Sequence, residues 1–82
     1  MPYNYRSTIL DALWQHGIQP TPATDPQLVH DFVNDLYRYE LRRLRARLVR
    51  GDFEKATYFD RVVEVRNRYR VLALKALQWV DP

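Results

Sequence analysis

Three stretches of the chain carry apolar residues at helical spacing. In the first, Ile9, Leu10, Leu13 and Trp14 repeat on one face, and Gly17 supplies a stop, so a helix is expected over about 7–16. The next segment, 18–25, reads IQPTPATD. Its prolines favour an extended connector, because a residue that precedes proline is pushed out of the helical region. Asp25 followed by Pro26 is an N-cap and first-turn pairing, and it opens a second helix expected over 26–50, about 37 Å long at 1.5 Å per residue.

That second helix carries two stripes. Leu28, Val29, Phe32, Val33, Leu36 and Tyr39 form one; Tyr37, Leu41, Leu44 and Leu48 form the other, about a third of a turn away. Two offset stripes imply two packing neighbours. A third helix is expected over 53–79, with Asp52 as its cap and a stripe through Tyr58, Phe59, Val62, Val65, Tyr69, Leu72, Ala76 and Val80. No glycine or proline interrupts it, and a break near Arg70 is the alternative. The short junction at Gly51 makes the second and third helices antiparallel neighbours.

The pattern therefore predicts an all-α fold in a single small domain, 1–82: a short N-terminal helix on a long antiparallel hairpin. A domain of this size buries only about 60 % of its unfolded surface and usually needs a disulfide, a metal or a second copy. There is no cysteine, and His16 and His30 match no zinc spacing. One copy is not expected to cover Trp14, Phe53, Val63, Leu74 and Trp79 together. A two-fold homodimer with a four-helix-type bundle is expected, with Trp14 and Trp79 as aromatic interface candidates.

Composition adds limits. Hydrophobic residues make up 46 % of the chain, too many for a disordered tail. No apolar run approaches the roughly 18 residues of a membrane span, and MPYNYRSTIL lacks a basic region followed by an apolar one. A cytoplasmic protein without membrane contact is expected. The net charge of +3 is mild, but its distribution is uneven. Residues 25–36 hold three aspartates and no base, whereas 37–51 hold six arginines and Glu40. Part of this asymmetry suits the helix dipole.

On a wheel of 100° per residue the six arginines divide. Arg38, Arg42 and Arg45 lie on one side of the apolar stripe, and Arg43, Arg47 and Arg50 on the other. The first flank, with Arg61 and Arg68 as a second row, is the candidate surface for a partner or an anion. Glu40 falls between the two stripes of the second helix and Arg66 falls within the third, so these two are a candidate buried polar pair.

A catalytic site is not expected. Ser7 is the one serine, and no glycine-rich phosphate loop is present. No cofactor and no metal are assigned. The expected function is that of a non-enzymatic protein–protein interaction module: an adaptor, assembly factor or regulatory subunit. The alternatives are nucleic-acid binding without sequence preference through the arginine-rich helix, and a metal or small-ligand bundle around His30 or Glu40.

Overall fold

A computed structural model describes residues 2–82. In chain order the elements are strand β1 (Asn4–Tyr5), helix α1 (Ser7–Trp14), helix α2 (Pro26–Val49), helix α3 (Lys55–Arg68), two 3-10 turns (Arg70–Ala73 and Ala76–Gln78) and strand β2 (Val80–Asp81). Most described residues are helical, and no helix among them is long and apolar enough to cross a membrane. The molecule measures 50 × 18 × 17 Å. Its radius of gyration is 15.1 Å, against about 12 Å for a compact domain of this length.

The helix ends are set where the punctuation lies. Asp25 caps α2, its Oδ1 accepting from the Gln27 amide at 2.9 Å, with Pro26 in the first turn. At the other end Gly51 adopts φ +80°, and two amides turn back onto the last carbonyls: Gly51 to Leu48 and Asp52 to Arg47, each at 3.0 Å. This is a Schellman closure, which needs a left-handed residue and so favours glycine. Gly17, at φ +73°, closes α1 in the same way, with Ile18 donating to Leu13 and Gly17 to Trp14.

The third helix departs from expectation at both ends. Asp52 does not cap it. Its amide serves the closure of α2 and its carboxylate holds Arg47 and Arg50, so Glu54 takes the cap position and α3 begins at Lys55. A helix continuous to Trp79 does not form either; the break comes at Tyr69. On an unbroken helix Val71 would point about 200° away from Tyr69. Breaking the helix buries Tyr69, Val71, Ala76 and Trp79 together.

Two histidines hold the broken segment. His16 Nε2 donates to the Arg68 carbonyl at 2.8 Å and stacks on Tyr69 with centroids 4.4 Å apart. His30 Nε2 donates to the Leu74 carbonyl at 3.0 Å and lies against Trp79.

Sequence patterning did not anticipate a strand, yet β1 and β2 pair antiparallel, Asn4 with Asp81 and Tyr5 with Val80. The Arg6 amide extends the ladder to the Trp79 carbonyl at 3.0 Å. This two-residue clip ties the N-terminal segment to the C-terminal one. Tyr5 also reaches the connector, its hydroxyl donating to the Thr24 carbonyl at 2.6 Å.

The core is lopsided. Tyr5, Ile9, Leu13, Val29, Val33, Val71 and Trp79 fill the end covered by α1 and the 3-10 turns. The distal half of the hairpin buries only Leu44 and Val65 fully, with Leu41, Leu48, Tyr58 and Val62 half-covered. Of the five residues expected to exceed the cover of one copy, Trp79 is fully buried. Phe53 and Leu74 are half-buried, and Trp14 and Val63 are exposed.

Candidate anion groove between α2 and α3

The thin distal half of the hairpin leaves a groove of about 240 Å³ between α2 and α3. Leu44 and Val65 form its floor. From α2 come Glu40, Arg43 and Arg47, and from α3 come Arg61, Glu64 and Arg68. Both sets follow helical spacing, so each presents its charges along one line. Four guanidiniums thus face one cleft with only two carboxylates among them.

Their surroundings differ. Arg68 is paired with Glu40 at 3.3 Å. Arg47 lies 3.6 Å from Asp52, and its guanidinium sits 5.2 Å from the centre of the Phe53 ring. Arg61 approaches the same ring at 5.0 Å. One aromatic side chain therefore gathers two cations, each attracted by the negative face of the ring. Arg43 leans on Tyr39 at 5.8 Å. Neither Arg43 nor Arg61 has an ion-pair partner among the described residues. The Nε of Arg61 is also buried without a hydrogen-bond partner. A buried donor left unmade costs about 1–3 kcal/mol, more for a charged group.

Glu40 does turn inward, but it meets Arg68 rather than Arg66. The longer closure at Gly51 starts α3 later and shifts the antiparallel register by about one half-turn. Arg66 then points outward and is exposed. Tyr69 completes this corner, stacked at a tilt on Tyr37 with centroids 5.2 Å apart. Its hydroxyl pKa is pushed up to about 12, first by burial and then by the nearby Glu40 carboxylate; Arg68 works in the opposite sense.

The structure separates the other candidates. Arg61 and Arg68 line the groove, while Arg38, Arg42 and Arg45 lie on α2 outside it and are exposed. Trp14 is 63 % exposed on α1, whereas Trp79 is sealed in the core with its Nε1 donating to the Val71 carbonyl at 3.1 Å, and so presents no surface. Arg43 and Arg47 were not among the sequence candidates. The signal that finds them is Glu40: once position 40 faces α3, positions 43 and 47 follow on the same line. His30 is engaged with Leu74 and Trp79. Among the described residues no three His, Asp or Glu side chains converge as a metal site requires.

Paired guanidiniums beside an aromatic ring suit oxyanions, a carboxylate or a phosphate, which they can bind through two parallel hydrogen bonds. In comparisons with known proteins, the chain matches no family model, no curated protein and no solved structure.

Proposed function

We propose that the chain is a non-enzymatic protein–protein interaction module that works as a homodimer and takes acidic side chains of a protein partner into the groove between α2 and α3. An adaptor, assembly factor or regulatory subunit would use such a surface. The observation that carries this reading is Arg61, whose buried Nε has no partner while its guanidinium shares the Phe53 ring with that of Arg47.

Carboxylates on a protein fit better than a nucleic-acid backbone. Glu40 and Glu64 interrupt the cations of the groove. They would repel a continuous row of phosphates but can sit between spaced acidic side chains. The arginines of α2 are also divided between opposite flanks, so no single stripe tracks a strand, as counterion-releasing nucleic-acid surfaces do.

Fluorescence anisotropy tests this with a labelled glutamate-rich helical peptide and a labelled mixed-sequence DNA duplex, both at about 50 mM salt. The peptide is expected to bind, and Arg61→Glu to weaken it at least about tenfold. Peptide binding that ignores Arg61→Glu, or a duplex that binds more tightly than the peptide, overturns the reading.

A further inference from the structure

The outward face of α2, opposite α3, is unpartnered and carries large exposed apolar residues from its first turn to its last. Leu28 is 67 % exposed, Phe32 and Tyr39 are each 53 % and Val49 is 80 %. Leu28, Phe32, Tyr39 and Val49 fall on one side of the helix at intervals of four, seven and ten residues, with Asp35, Arg42 and Ala46 at the seam positions between them. Charge runs along the same side with a reversal at Arg38: Asp31 and Asp35 toward the N-terminal end, then Arg42 and Arg45 toward the C-terminal end. All four are exposed, and none joins an ion pair among the described residues; Asp31 only accepts from Gln27 at 2.9 Å.

A strip that is acidic at one end and basic at the other is complementary to itself when reversed. From this we infer that α2 packs antiparallel on α2 of a second copy, about a two-fold axis near Tyr39. The inference rests on the homodimer reading and gives it a surface. Such an axis sets position 35 of one copy beside position 42 of the other, and 31 beside 45 or 46. It also lays Phe32 over Ala46 and Leu28 over Val49. A two-fold pairing brings the same flank of each helix together, so each contact occurs twice.

The face formed by Phe59 and Val63 is the competing apolar surface. That face of α3 carries bases toward both ends, Lys55 and Arg66, so it lacks the charge reversal that α2 presents to a second copy. Because α3 packs on the other side of α2, the resulting dimer is an open row of four helices, α3–α2–α2–α3, and not a closed bundle.

Charge swapping tests the pairing by sedimentation equilibrium at about 0.1 M salt, where exposed charges still interact across a contact. The wild-type chain is expected at twice its 9.9 kDa. One variant carries Asp31→Arg and Asp35→Arg, the other Arg42→Asp and Arg45→Asp; all four sites are exposed, and circular dichroism checks that helix content is kept. Each variant alone is expected to dissociate with at least about a tenfold weaker constant, and an equimolar mixture to recover the dimer. A wild-type monomer at 100 μM defeats both the homodimer and this surface. A wild-type dimer that neither variant weakens, or a mixture that stays monomeric, defeats the surface alone. Neither result bears on peptide capture by the groove.

Discussion

Trp79 closes the covered end of the molecule. It is fully buried, it lies against His30, and its indole nitrogen reaches the Val71 carbonyl across a one-turn reversal of the chain. Trp79→Ala should therefore cost about 3–5 kcal/mol, a large share of the stability of a domain this small. Trp79→Phe keeps much of the body and loses the hydrogen bond, at about 1 kcal/mol plus the volume change. Urea unfolding separates the two, and a loss below about 1 kcal/mol for the alanine variant would contradict the burial. Tyr69 gives a pH signature. Its folded-state value lies near 12, above the ordinary 10, so the fold favours the neutral phenol. The associated stability is complete below pH 10 and is lost as pH rises through 12. Tyr69→Phe should flatten that alkaline loss relative to the wild-type chain, leaving the smaller contribution of Tyr5, which burial raises in the same direction. Equal alkaline slopes would place the phenol in water.

At the scale of elements, the stops and starts were legible and the interruption was not. Asp25 and Pro26 open α2, and Gly17 and Gly51 close two helices, because these residues act locally through caps and a left-handed backbone. Gly51→Ala tests this. A Cβ at that position meets nothing within 4 Å, so the cost is the positive φ alone, about 1 kcal/mol, seen as a melting temperature lower by roughly 4–8 °C. An unchanged melt would mean that the turn is not held in this conformation. The break at Tyr69 has no such marker. It is made by tertiary contacts, His16 on the Arg68 carbonyl and His30 on the Leu74 carbonyl, each more than forty positions from its acceptor. Periodicity in Leu72, Ala76 and Val80 pointed to a continued helix; of these only Ala76 is buried, and Val71 and Trp79, which are off that stripe, complete the core. The strand clip was hidden for the same reason: pairing of two residues at each end leaves no alternating pattern to read.

The whole molecule is an asymmetric rod, well filled at one end and thin at the other, and that asymmetry creates the groove. Glu40 could be read as inward-facing because it falls between two apolar stripes. Its partner could not be read, since two extra residues in the closure at Gly51 move Arg68 into the place that Arg66 would otherwise hold. The same register assigns Arg43 and Arg47 to the groove and leaves Arg38, Arg42 and Arg45 outside it. The central claim is that the groove's own guanidiniums are what an acidic partner meets. Arginine Nε–H resonances report this directly, one per side chain, in a titration of ¹⁵N-labelled protein with the glutamate-rich peptide. The Arg61 and Arg47 signals are predicted to move first and furthest, with those of Arg38 and Arg45 nearly still; uniform movement of all the arginines, or none at Arg61, would contradict the claim.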